Sequence, residues 1–255
     1  RALADLVLEY GGRIVTGSTV AALDTFDTAR AVLLDLTPRQ VLRVAGARLP
    51  RGYARRLARY RYGPGVFKLD WALAGPIGWT APECRSAGTI HLGGGSAAIL
   101  RASRAAFAGR DDAEPFVILT QPSLFDATRA PAGSHVAWAY AHVPHGSLED
   151  RTAAIERQVE RFAPGFRDLV LARHAMDTRA LETRNPNLVG GDIGGGIQDL
   201  AQLLARPVLR IDPYRTPVRG LYLCSASTPP GGAVHGMCGY HAARSVLRDL
   251  RRGRA

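Results

Sequence analysis

Leu3, Leu6, Val7 and Tyr10 recur at helical spacing, and the Gly11-Gly12 pair ends the pattern. Short apolar runs then predict strands at 13–16 and 18–23, followed by a strand-length run at 31–36. Thr37-Pro38 reads as a helix start, a cap and then proline in the first turn, with Gly46 as its stop. A basic helix is expected over 52–61. After Gly63-Pro64-Gly65 the character changes. Strand-like runs fall at 66–73, 89–92, 116–120 and 134–142, and helical patterns at 96–108 and 148–162. Ser147 with Asp150 approximates a capping box for the second of these helices. The glycines from Gly190 to Gly196 mark another break. Beyond them come a buried-type strand at 221–225, a turn at 228–232 and a helical pattern over 234–250. Strands interleaved with few helices predict a mixed sheet separate from the first segment.

The chain has 255 residues, enough for one large domain or two small ones. No apolar run approaches the roughly 18 residues that a membrane-spanning helix needs. The opening, which contains Asp5 and Glu9, does not read as a signal peptide. It begins with Arg1 rather than Met, so the start is expected to lie inside a longer protein. Cys84, Cys224 and Cys238 are too few and too scattered for a disulfide framework, which points to a reducing, cytoplasmic setting.

Net charge changes the picture more. The formal charge is +11, and no acid occurs between Leu36 and Leu69, where Arg39, Arg43, Arg48, Arg51, Arg55, Arg56, Arg59, Arg61 and Lys68 all fall. This stretch lacks a nucleic-acid motif, and its aromatic side chains are only Tyr53, Tyr60, Tyr62 and Phe67, so no nucleic-acid partner is expected. A solvated helix face, or a surface that meets acids elsewhere in the protein, is the favoured reading. Peripheral contact with anionic lipid comes second.

The segment from Gly220 to Ala243 carries the chemistry: a strand, a turn stiffened by Pro229-Pro230, the pair Gly231-Gly232, and a helix start. Glycines let a flat or charged ligand approach the backbone. The free N–H groups and positive dipole end of a helix suit a group that is or becomes anionic. A flavin gains negative charge at its pyrimidine edge on reduction, and fixed donors there stabilise the reduced form.

This segment resembles the C-terminal flavin-binding motif of phytoene desaturases and related FAD oxidoreductases. Further stretches resemble the same group: 32–40, Lys68-Leu-Asp-Trp-Ala-Leu73 with Gly75-Pro76, Gln121-Pro-Ser-Leu-Phe-Asp126, Gly190-Gly-Asp-Ile193, and Arg206-Pro207 with Tyr214-Arg-Thr-Pro217. The resemblance implies an α/β protein: a partial Rossmann-like FAD-binding domain with an inserted mixed-sheet, α+β substrate domain. It divides the chain into 1–62 (middle part of a discontinuous FAD domain), 63–190 (substrate domain) and 191–255 (last part of the FAD domain). It implies FAD as cofactor, with Gly231, Gly232, Val234, His235, Gly236 and Met237 at the flavin and Val20 beside the adenosine. It further implies hydride transfer from an unidentified small molecule, lipophilic in the desaturases, and an N-terminal half of the same protein that supplies Gly-x-Gly-x-x-Gly. His235 is the candidate catalytic or flavin-tuning side chain. The chain alone is expected to be inactive and not to hold FAD tightly. The alternative is a non-catalytic binding protein or split subunit of the same fold.

Other candidates weigh less. Gly93-Gly-Gly95-Ser-Ala-Ala98 fits Gly-x-Gly-x-x-Ala, but Asp111, Asp112 and Glu114 precede the next strand instead of ending it, so a loop is expected. His235-x-x-Cys238-x-x-His241 lacks a fourth ligand, and Pro144 breaks His142-x-x-His145, so no metal is expected. Asp70 reads as a satisfied acid at a strand start and Asp192 as a turn former or cap.

Overall fold

The computed structural model describes residues 1–253. Two sheets organise them. The first pairs β1 (Val32–Leu34) with β7 (Leu221–Leu223) in parallel, in the register Val32↔Leu221 and Leu34↔Leu223. The second has five strands in the order β3 (Thr89–Leu92), β4 (Val117–Thr120), β5 (His135–Val143), β2 (Gly65–Leu73) and β6 (Val170–Met176). Every pairing in this sheet is antiparallel, so the sheet expected to be mixed is not. Only β3–β4 and β4–β5 are neighbours in sequence; β2 reaches its partners β5 and β6 across long stretches of chain.

Alternation on β2 and β5 decides which face is buried. Phe67, Leu69, Trp71 and Leu73 point inward with Ala137, Ala139, Ala141 and Val143. The helix α5 (Thr152–Phe162) covers that face with Ile155 and Val159. The core still holds polar groups; the Thr120 hydroxyl at the end of β4 has no partner among the described residues, but others are paired. The Trp71 indole N–H donates to the buried Glu156 carboxylate at 3.0 Å, which also accepts from Arg173 at 2.8 Å. The Trp79 indole N–H donates to Gln121 at 2.9 Å. The outward face of the same sheet carries Lys68, Asp70, Trp138, Tyr140 and His142.

A second core joins the chain's two ends. α2 (Pro38–Ala45) and α3 (Arg51–Ala58) contribute Val41, Ala45, Tyr53 and Leu57, which pack with Leu34, Val208, Leu221 and Leu223. The remaining helices are α1 (Ala2–Glu9), α4 (Ser96–Phe107), α6 (Thr178–Arg184), α7 (Leu200–Leu204) and α8 (Met237–Arg251).

Several local expectations need correction. The runs at 13–16 and 18–23 form no strand, because no neighbouring strand is there to take their backbone hydrogen bonds. The helix expected from 148 begins at Thr152. Asp150 accepts the Thr152 N–H at 2.8 Å, and Ser147 accepts the Glu149 N–H, so no capping box forms. Thr37 precedes Pro38 as expected, but its hydroxyl caps nothing and has no partner among the described residues. Gly94 and Gly95 lie between β3 and α4, yet β3 and β4 are antiparallel, which removes the parallel βαβ frame that a dinucleotide fingerprint requires. Asp70 lies within β2, half exposed, and is paired with Lys68.

Candidate cofactor site

β1 and β7 run parallel and end together, with the Cys224 N–H donating to the Leu34 carbonyl at 3.0 Å. Ligand crevices in parallel sheets open beyond such strand ends. The chain leaving β7 turns at once. The Thr228 N–H and hydroxyl both donate to the Ser225 carbonyl, at 2.9 and 2.7 Å, and the Gly231 N–H donates to Thr228 at 2.9 Å. Tyr214 pins the turn from outside by donating to the Pro229 carbonyl at 2.9 Å.

This turn rests on a second glycine loop. A Cβ on Gly232 would stand 2.6 Å from the Gly194 carbonyl oxygen, so the two backbones touch. The buried Asp192 carboxylate shapes the second loop by accepting the N–H groups of Gly63, Gly194 and Gly196 at 2.7, 2.6 and 2.8 Å. Asp192 is thus a turn former, as its setting among glycines suggested. Gly196 has φ +133°, and a side chain there would collide with the Tyr60 hydroxyl. Tyr60 and Ser227 both donate to the Gly195 carbonyl, at 2.6 and 2.7 Å. Burial pushes the Tyr60 phenol up to about 12, against the opposing pull of Arg206.

Arg206 ties the two loops together. Its side chain is 1% exposed, and it donates to the carbonyls of Gly194 (2.9 Å), Ala226 (3.0 Å), Ile197 (3.3 Å) and Gly196 (3.5 Å). The guanidinium also lies 5.9 Å from the Tyr60 ring centre. Its positive charge is held by converging carbonyl dipoles and the aromatic face. The sequence placed Arg206-Pro207 in a family motif but offered no signal for this role, because the four acceptors lie 9 to 20 residues away along the chain.

The turn delivers the chain to the N-terminus of α8, capped by no side chain at Gly236. His235 Nδ1 accepts the Met237 N–H at 3.2 Å, so its imidazole serves the helix end. The N–H groups of Cys238 and Gly239 have no acceptor among the described residues. Val234, His235, Gly236 and Met237 are all exposed, whereas Gly231 is buried and Gly232 half-buried. These six residues therefore stand together, as their adjacency requires. Val20 does not join them. It lines a cavity of about 720 Å³ along the open face of β1 with Phe26, Leu33, Leu36 and Val44, and no residue of the turn lines that cavity.

The metal-like spacings disperse. Cys238 donates its thiol to the carbonyls of Thr228 and Gly231, and His241 stacks on Tyr214 with ring centres 5.9 Å apart. His145 Nδ1 bonds the Gly63 carbonyl at 2.9 Å. Among the described residues, no group of three His, Cys, Asp or Glu side chains is arranged to hold a metal. Sequence reading also passed over the row Trp138, Tyr140, His142 on the outward face of β5. The Trp138 and Tyr140 rings stack at 6.3 Å between centres, and their alternate spacing was the available signal.

No protein-family model matches the chain. The chain is similar to pyridine nucleotide-disulfide oxidoreductase domain-containing protein 2 of Rattus norvegicus, 31% identical over 243 residues, covering 87% of this chain and 40% of the relative. Against the Mus musculus protein of the same name the identity is 32% with the same coverage. One of the subunits of limonene dehydrogenase from Castellaniella defragrans is 29% identical over 139 residues, 49% of this chain and 25% of that protein. The chain thus spans about 40% of the length of the first two relatives. A redesigned putrescine oxidase superposes with a TM-score of 0.53 at 17% identity, over 87% of this chain and 43% of that one. The chain shares its fold with part of putrescine oxidase. It is an α/β protein in which a partial Rossmann-like unit, the β1–β7 pair with its helices, accompanies a separate sheet. No helix among the described residues is long and apolar enough to cross a membrane.

Proposed function

We propose that this chain is the part of an FAD-dependent oxidoreductase that receives the flavin ring and the substrate. The carrying observation is the uncapped start of α8, set beyond the parallel strand ends and held by a buried arginine. A flavin has acceptors at its pyrimidine edge, and the unpartnered N–H groups of Cys238 and Gly239 fit them. When bound, FAD supplies the hydride acceptor. The chain's own residues present donors at the α8 start, keep side chains out of the approach at Gly231, Gly232 and Gly236, and hold the turn rigid through Arg206. His235, whose Nδ1 accepts the Met237 N–H, keeps an Nε2–H that can donate a hydrogen bond to a ligand at the helix start. Trp138 and Tyr140 form a flat, partly apolar wall suited to a lipophilic substrate.

A partner segment belongs to the same proposal. α1 buries none of its residues, and the open face of β1 exposes Leu33 above an apolar cavity. Such a face beside an unpaired strand edge needs covering. The occupant proposed is the strand–turn–helix with Gly-x-Gly-x-x-Gly, supplied by the same polypeptide or a companion chain; Val20 lies where that segment and the adenosine would meet. The relatives' names, two oxidoreductases and one component of a dehydrogenase, favour this reading over a non-catalytic protein.

The test extends the reading frame upstream of Arg1 and purifies the product. The expected protein is yellow, releases one FAD per chain on heating, and loses flavin when Gly236→Val fills the approach to α8 while the melting temperature of its apoprotein stays unchanged. A product that contains the fingerprint segment yet purifies colourless and binds no added FAD refutes the proposal.

A further inference from the structure

α7 is amphipathic in the inverted sense. Its polar Gln202 faces inward, donating through its amide to the carbonyls of Arg61 (2.8 Å) and Ile197 (3.1 Å) and accepting the Arg61 N–H at 3.0 Å. Its leucines face out: Leu200 is 82% exposed, Leu204 81% and Leu203 half exposed. A few residues on, Leu209 and Ile211 are exposed as well, the latter fully. Single exposed leucines are ordinary, but five within twelve residues are an apolar patch that marks an interaction surface.

Arginine adjoins the same stretch, and Tyr53 links it to α3. Arg210, between Leu209 and Ile211, lies 5.8 Å from the Tyr53 ring of α3. The Arg56 and Arg210 charges both act on the Tyr53 phenol, against the dominant effect of burial. Arg51, Arg55, Arg56, Arg59 and Arg210 are exposed, and none forms an ion pair among the described residues. The acids nearby are already engaged: Asp199 with Arg61, and Asp212 with Ser245, Arg215 and Arg248. The open face of β1 differs in having a strand edge, unpaired among the described residues, to which another strand can add.

We propose that the leucine patch of 200–211 and the arginines of α3 form a docking surface for an anionic lipid bilayer. The leucines enter the interface between headgroups and acyl chains, and the arginines remain at the level of the phosphates. The inference does not depend on flavin binding. A surface of this kind would bring a lipophilic substrate from the bilayer to the protein.

The test is sedimentation of the protein with vesicles of phosphatidylcholine alone and of phosphatidylcholine containing phosphatidylserine. Binding to the anionic vesicles only is expected, falling as salt rises. Arg55→Gln with Arg59→Gln should lower the partition coefficient about thirtyfold. Leu204→Ser with Ile211→Ser should abolish binding although every charge remains. Leu204→Trp supplies a readout independent of the other variants: its fluorescence shifts to the blue on adding anionic vesicles. Absence of sedimentation, or binding unchanged in both double variants, overturns the proposal. Binding to soluble polyglutamate but not to vesicles assigns the surface to an acidic protein and overturns it too.

Discussion

Replacing Arg206 with methionine tests the construction of the candidate site most directly. The substitution keeps an unbranched chain of similar length in a fully buried position and removes every donor. Two of the four contacts, to Gly194 and Ala226, are short at 2.9 and 3.0 Å; those to Ile197 and Gly196 are long at 3.3 and 3.5 Å. A hydrogen bond from a charged group is worth about 1.5–3 kcal/mol, so the two short bonds together represent about 3–6 kcal/mol. Removing a buried charge also returns its desolvation cost, which places the net loss near the lower end, about 3 kcal/mol. That is a large share of a domain's stability of about 5–15 kcal/mol. Arg206→Lys keeps the charge but cannot fork to carbonyls on both loops, and should lose about 2 kcal/mol. Urea denaturation followed by circular dichroism gives the free energies. Amide exchange gives the location: protection should fall at 194–197 and 226–232 before it falls in the five-stranded sheet. A loss below about 1 kcal/mol for Arg206→Met, or unchanged protection in both loops, would refute the view that this guanidinium holds the site together.

Other outcomes follow from the same geometry. Gly232→Ala drives a methyl group against the Gly194 backbone and should cost about 2–3 kcal/mol in urea melts, whereas Gly236→Ala, with nothing within 4 Å of its new Cβ, should stay within about 0.5 kcal/mol. Burial pushes Glu182 up, but the Gly190 N–H and Arg39 outweigh it and hold its pKa below the usual 4.5. A depressed carboxylate stabilises the fold above its unfolded pKa and loses that contribution as pH falls through its folded value. Stability measured from neutral pH downward should therefore drop below about pH 4.5, less steeply in Glu182→Gln. Burial, with Asp35 as the next contributor, pushes the Cys224 thiol up to about 12, so iodoacetamide at about pH 8 should leave it unlabelled after minutes in peptide mass spectra; rapid labelling would contradict the burial.

Legibility in the sequence followed the range of the interactions involved. Strand-like runs marked β2 and β5, whose buried face is built from every second residue; helical patterns marked α1, α4, α5 and α8, and the Thr37-Pro38 start and Gly46 stop marked α2. The turn after β7 was legible because Pro229, Pro230, Gly231 and Gly232 act on their own backbone angles. β6 passed unseen: most of its residues are exposed, and it is a strand because β2 is beside it. The apolar runs at 13–16 and 18–23 failed in the opposite direction, with strand-like composition and no neighbour. α7 was missed because its leucines face outward, so no pattern of burial announced it.

The sequence by itself determined the elements that satisfy their own backbone or display a repeat: helices, tight turns, and strands with one buried face. It also carried the identity of the glycine-rich segment on which a flavin reading rests. Only the tertiary structure decided which strands exist, that the five-stranded sheet is antiparallel throughout, that two distant glycine loops touch, and that one arginine serves both. A helix finds its hydrogen-bond partners four residues away, whereas a strand edge and a buried guanidinium find theirs wherever the rest of the chain has packed.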